Sequence, residues 1–165
     1  MMRWGNTCCA IFGGTESTLR EMPEAARAMG LQIEVLNAST DREIEAAFAT
    51  LLRDRADALY VASDVFFTSH RVQLAMLAAS YRIPASYPSR EIVEVGGLMS
   101  YATDRVDMFR RVGEYTGIIL KGAKPSDLPV FQSTKFVFAI NMKTARALGI
   151  EVPPAVLSIA DEVIE

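Results

Sequence analysis

The chain has 165 residues, half of them hydrophobic, and a formal net charge of -3. That is length enough for one domain with a buried core, and a charge balance that gives no reason to expect nucleic acid or an anionic membrane as partner. Acidic and basic residues are interspersed, and no apolar run approaches the roughly 18 residues of a membrane span.

Met1 to Asn6 carries a positive charge, but the apolar segment after it is short and meets Gly13-Gly14, so it does not read as a signal peptide. Thr7 to Phe12 reads as a first strand. It contains the only cysteines, Cys8 and Cys9. A ring closed between adjacent cysteines is strained and no histidine cluster stands near them, so they read as small core residues rather than a disulfide or a zinc site. Gly13-Gly14-Thr15 reads as a turn. An anion cradle is the alternative, but no phosphate loop or dinucleotide glycine pattern accompanies it.

Leu19, Met22, Ala26 and Met29 share a helical face that Gly30 ends; Pro23 predicts a late start or a bend near Glu21. Leu31 to Leu36 reads as the second strand. Thr40-Asp41-Arg42-Glu43 reads as a capping box, and Ile44, Ala47, Phe48, Leu51 and Leu52 follow at helical spacing. Ala58 to Ala62 is a short buried strand that stops at Ser63-Asp64. Leu74, Leu77, Ala78 and Tyr81 mark the next helix, and Ile83 to Tyr87 the next strand. A short helix over Arg90 to Glu94 precedes Gly96-Gly97 and a strand at Leu98 to Tyr101. Val106, Phe109, Gly113, Thr116 and Leu120 predict the inner face of a long helix closed by Lys121-Gly122. A proline-bracketed loop, Lys124 to Pro129, leads to a strand at Phe136 to Ile140, a helix over Lys143 to Leu148 ended by Gly149, and a terminal segment from Val152-Pro153-Pro154.

Strand, helix and strand joined by short connections make parallel sheets, so the expected class is α/β: a three-layer Rossmann-like, flavodoxin-like sheet forming a single domain over residues 1–165. Ligands in open parallel sheets collect at the carboxyl ends of strands. Those ends carry Ser63-Asp64, Tyr87-Pro88-Ser89 and Ser100-Tyr101. Asp64 either accepts from a ligand's ammonium or hydroxyl group, or caps a helix. Phe66 and Phe67 either wall a pocket or fill the core. Tyr101 either meets a ligand or lies against a neighbouring lobe or subunit, and Arg90-Glu91 reads as a surface pair. Chemistry is sparse. The single histidine, His70, stands at a helix start without a partner, and there is no hydrolase elbow, metal cluster or paired carboxylate site, so neither an enzyme nor a cofactor or metal is expected.

The ordered set Asp64-Val-Phe-Phe-Thr-Ser-His-Arg71, Ile83-Pro-Ala-Ser-Tyr87, Arg90-Glu91, Gly96-Gly-Leu-Met-Ser-Tyr101, Ile119-Leu-Lys-Gly-Ala-Lys-Pro-Ser-Asp-Leu-Pro129 and Thr134-Lys-Phe136 through Gly149 resembles the ABC-transporter substrate-binding protein family. This is the type I periplasmic binding protein group with tryptophan/tyrosine-type uptake receptors. The resemblance covers nearly all of the chain from Leu19 onward. It implies one of two Rossmann-like lobes that close on a small molecule, an amino acid or similar organic solute, and deliver it to an ABC permease. It implies a periplasmic or extracytoplasmic location. Ser63, Asp64, Phe66, Tyr87, Arg90, Ser100 and Tyr101 are carried over as ligand-binding candidates. The chain departs from the family in being about half the expected length, in starting where the second lobe begins, and in having Gly13-Gly14 where relatives have Asn and Pro. Residues 129–165 then either complete this lobe's sheet or return through the hinge. A homodimer would cover the face left by the missing lobe. Two other readings stay open: a cytoplasmic dimeric metabolite-sensing or regulatory domain, and a remnant lobe without retained binding.

Overall fold

The computed structural model describes residues 7–12 and 16–165, with side-chain surroundings from residue 20 onward. The Gly13-Gly14-Thr15 turn lies outside the described residues, as do the surroundings of Cys8, Cys9 and Leu19. The elements run β1 (Thr7–Phe12), α1 (Glu16–Ala28), β2 (Gln32–Asn37), α2 (Asp41–Arg53), β3 (Ala58–Val61), α3 (Val65–Ser69), α4 (Arg71–Ser80), β4 (Ala85–Tyr87), α5 (Arg90–Glu94), β5 (Met99–Thr103) and α6 (Arg105–Leu120). After a 3-10 turn at Pro125–Asp127 come β6 (Phe136–Asn141), α7 (Met142–Leu148), α8 (Pro154–Leu157) and β7 (Glu162–Ile164). No helix among the described residues is long and apolar enough to cross a membrane.

The strands form one sheet in the order β2-β1-β3-β4-β5-β6-β7. The first five are parallel in the flavodoxin-like order, so the expected α/β class is the one observed. The sheet is mixed rather than wholly parallel, because β6 pairs antiparallel to β5, from Met99 with Ile140 to Thr103 with Phe136. The cause is the route of the chain. A crossover helix normally runs back down the sheet, but α6 leaves from the end of β5 and the chain returns to the same point. There the Asp104 amide donates to the Lys135 carbonyl at 2.9 Å and Lys135 Nζ meets Asp104 Oδ2 at 2.6 Å. A strand starting at that end can only run downward. β7 then pairs parallel to β6, with Asp161 as its anchor: its carboxylate accepts from the Phe138 amide at 2.8 Å.

The core lies between β3–β4 and helices α2, α4 and α5. Ile44, Phe48, Leu51, Leu59, Phe67 and Leu74 are fully buried there, and Tyr87 and Ile92 join them. Removing a ring such as Phe67 would cost about 3–5 kcal/mol. Leu52, assigned to the buried stripe from spacing, is exposed, and Tyr81 stacks on Phe48 at 5.9 Å from the rim.

Three local expectations are corrected. α1 does not start late or bend near Glu21: it runs unbroken from Glu16, with half-buried Pro23 inside it. Its docking beside β2, and Met22 packed on Ala62 and Tyr60, outweigh the backbone donor that proline lacks. The capping box closes one residue early. Thr40 Oγ1 accepts from the Glu43 amide at 3.3 Å, but the Glu43 carboxylate accepts from the Ser39 amide at 2.7 Å and the Ser39 hydroxyl at 2.8 Å. The third concerns α6. The face expected to point inward points out: Val106, Phe109 and Leu120 are 79%, 60% and 82% exposed. Among the described residues, no other helix or strand packs substantially on it.

Asp104 caps α6, its Oδ1 accepting from the Val106 and Asp107 amides at 3.0 and 3.1 Å. The Lys135 ammonium, then the Asp107 amide, hold this carboxyl below its usual range. A carboxylate with a depressed folded pKa contributes stability above the unfolded value, near 3.9, and loses it as pH falls through the folded one. Backbone NMR is expected to show the first turn of α6 fraying below about pH 4 in the native chain. In Asp104→Ala the same turn frays already at neutral pH.

Candidate functional site

The carboxyl ends of β3, β4 and β5 open onto a groove of about 810 Å3. One bank is Ser63, Asp64, Val65 and Thr68; the other is Tyr101, Arg105, Met108 and Phe136, with Tyr60 also lining it. Asp64 turns the chain there because its extended backbone (φ -152°) lets Oδ1 accept from the Phe66 amide at 2.7 Å, capping α3. It is therefore a cap and a groove residue at once. Tyr101 and Phe136 stack face to face, centroids 5.2 Å apart and planes 8° from parallel, yet they remain 63% and 45% exposed. Two large rings held this rigidly with so much surface open form an apolar platform. Arg105 and Arg71 give the groove positive groups and Asp64 a negative one. Burial pushes the Tyr60 phenol up, which keeps it a neutral donor.

A second, more enclosed pocket of about 290 Å3 adjoins the groove and shares Ser89, Ala102, Thr103 and Arg105 with it. Its walls hold Arg90, Glu91, Ser100 and Glu162. Arg90 and Glu91 were expected to form a surface pair, but their side chains engage other residues. Arg90 contacts Glu162 through Nε and Glu94 through Nη2 at 3.2 Å, while Glu91 Oε1 accepts from Arg105 at 3.2 Å. Burial pushes the Glu91 carboxyl up, but its own backbone N–H, the Ser89 hydroxyl and then the Arg105 and Arg90 guanidiniums outweigh this and hold it low.

The candidates named from the sequence fall in three places. Ser63, Asp64 and Tyr101 line the groove, and Arg90 and Ser100 line the adjoining pocket. Phe66 and Tyr87 line neither. Phe66 packs on His70 at 4.1 Å and Phe67 at 5.5 Å. Tyr87 is 1% exposed in the core, where burial pushes its phenol up. His70 joins elements: Nδ1 lies 2.7 Å from the Phe66 carbonyl and Nε2 2.7 Å from Asp41 Oδ1, tying the α3–α4 junction to the start of α2. Sequence reasoning missed Arg105 and Phe136. Their signal was the Asp104–Lys135 closure, which sets the first residues of α6 and β6 beside β5.

The sequence profile of the ABC transporter substrate binding proteins matches residues 6–164. No curated protein matches the chain. Among solved structures, the ABC domain in complex with L-Trp from Streptococcus pneumoniae is 30% identical, with a TM-score of 0.84 over 96% of this chain and 56% of its own. A conserved domain protein from Vibrio cholerae (22% identity, TM-score 0.85) and a ligand-free, open substrate binding protein with adhesive properties from Clostridium difficile (23%, 0.70) share the fold; each is matched over 96% of this chain and 54% of its own. The chain thus spans about half the length of the solved relatives it matches. With the profile matched from residue 6 to 164, the chain belongs to the ABC transporter substrate binding protein family.

Proposed function

We propose that residues 1–165 form one α/β lobe that binds a small organic solute, an amino acid with a planar side chain, in the groove at the ends of β3, β4 and β5. The lobe does no chemistry on its solute. It works outside the cytoplasmic membrane and hands the solute to an ABC permease. One observation carries this reading: the exposed Tyr101–Phe136 stack faces a groove whose rim bears both signs of charge. A planar apolar group belongs on such a platform, and the rim suits the charged ends of a zwitterion. The L-Trp-bound relative from Streptococcus pneumoniae supports the same choice.

Calorimetric titration with the common amino acids tests it. Tryptophan or tyrosine is expected to bind more tightly than alanine, and Tyr101→Ala to weaken the aromatic ligand about 10-fold while leaving the melting temperature nearly unchanged, since the ring is mostly exposed. Equal binding of all amino acids, or none, would defeat the reading.

A single lobe offers an open wall, and small-molecule sites bury most of their ligand. The outward apolar face of α6 favours a second copy of the chain as the other wall. A dimeric metabolite sensor would draw on the same face.

A further inference from the structure

We propose that the pocket beside the groove is a subsite for a primary ammonium group, formed by Glu91, Ser89 and Ser100. The inference rests on the small-molecule reading above and adds which end of the solute enters where. Ser100 is 1% exposed and its hydroxyl has no hydrogen-bond partner, while Ser89, 5% exposed, sets its hydroxyl against the Glu91 carboxylate. Glu91 Oε1 is engaged by Arg105, while Oε2 is buried and meets no cation. All three residues line one pocket, which opens to the groove past Thr103 and Arg105.

Buried polar atoms without partners are rare and costly, so the Ser100 hydroxyl, sharing one pocket with an anionic carboxylate, asks for a partner that serves both. The chemistry of the set names it. A carboxylate oxygen can only accept, and a hydroxyl can accept as readily as donate. A group with three N–H donors and a positive charge satisfies all three. An alcohol has one donor and no charge, and a ligand carboxylate would be repelled by Glu91. The carboxyl is held low by its surroundings and stays an anion at neutral pH. Arg105 completes the match. Its guanidinium stands 3.2 Å from Glu91 Oε1 and lines both pocket and groove, so the pair offers plus and minus side by side, as an α-amino acid offers minus and plus. With the ammonium inside and the carboxylate toward Arg105, the side chain extends into the groove that Tyr101 and Phe136 line.

The test uses three indole probes on the full chain: L-tryptophan, tryptamine (ammonium only) and indole-3-propionate (carboxylate only). Titration calorimetry at neutral pH is expected to show tryptophan and tryptamine binding at least 10-fold tighter than indole-3-propionate. Ser100→Ala and Glu91→Gln each weaken the two amines about 10-fold or more and leave the third probe unchanged, a hydrogen bond to a charged group having that worth. Ser100→Ala should also raise the melting temperature of the ligand-free chain, because it removes a buried hydroxyl that has no partner. A hydroxyl serving only the fold would lower it. Tryptophan bound with the same affinity by wild type and both variants would overturn the subsite and leave the groove reading standing. So would indole-3-propionate bound as tightly as tryptophan. Failure of all three probes to bind wild type would sink both.

Discussion

Replacing Gly97 by alanine is expected to destabilise the chain by about 2–3 kcal/mol, at the upper end for overpacking a filled core. A Cβ built on Gly97 lies 2.8 Å from the Ile92 carbonyl oxygen and 2.8 Å from Tyr87 Cε2. Neither atom can give way easily. The carbonyl is backbone and already accepts from the Gly97 amide at 2.8 Å, which fixes the end of α5 against the start of β5. The Tyr87 ring is 1% exposed, packed within the principal core, so moving it disturbs Phe67 and Leu74 as well. Relief therefore needs a shift of β5 relative to β4, and β5 carries Ser100 and Tyr101 toward the two pockets. The variant should lose ligand affinity along with stability, its melting temperature falling by roughly 5–10 °C in a chain of this size. Gly113→Ala is the control. It sits in the middle of α6 with open space where its Cβ would go, and alanine favours helix over glycine by about 1 kcal/mol. Calorimetry should thus show opposite signs for the two substitutions. A Gly97→Ala chain as stable as wild type would mean that the strand has freedom the packing denies.

How far the sequence spoke depends on the range of each signal. Short-range signals were legible: α5 occupies Arg90–Glu94 as read, and Gly149 ends α7 in the left-handed conformation (φ +73°). Asp64 could be read as a cap because the cap is made two residues away. What depended on contacts far along the chain was not legible. β7 is three residues long and exists because Asp161 grips Phe138, 23 positions earlier. The downward run of β6 follows from Asp104 meeting Lys135. In the site, the strand-end rule put Ser63, Asp64 and Tyr101 on the groove. It could not tell that Tyr87, in a strand of three residues, points with Ala85 into the core. Periodicity marked α6 as apolar on one side, but a period says which residues share a face and never what covers it.

That face should make the 165-residue chain self-associate, and Phe109→Asp should abolish the association. Val106, Phe109, Gly113, Gly117 and Leu120 lie along one side of α6 and are at most partly buried. An antiparallel copy centred on Gly113 sets Val106 against Leu120 of the other chain and Phe109 against Gly117, a large residue over a small one at each end. Both glycines have open space within their own chain, so nothing there calls for them, while each costs the helix about 1 kcal/mol against alanine. A close helix crossing supplies the reason. The sixteen-residue helix is roughly 24 Å long, so its face alone falls short of the about 800 Å2 per partner of a standard interface. The loop of Val130 and Phe131 packs by Arg111 and Tyr115 on the other side of the helix and does not extend it. A weak dimer is expected, with a dissociation constant on the order of 10 μM and little dependence on salt, since the contact is apolar. Sedimentation across that concentration range should show the monomer–dimer shift in wild type and a monomer throughout in Phe109→Asp, with circular dichroism unchanged because the ring is already exposed. Gly113→Ala should weaken the dimer although it stabilises the helix, a pairing of signs that only a close crossing at that residue produces. A wild-type monomer at ten times that concentration would instead leave the face to a lobe of different sequence, and the second wall of the groove would have to come from it.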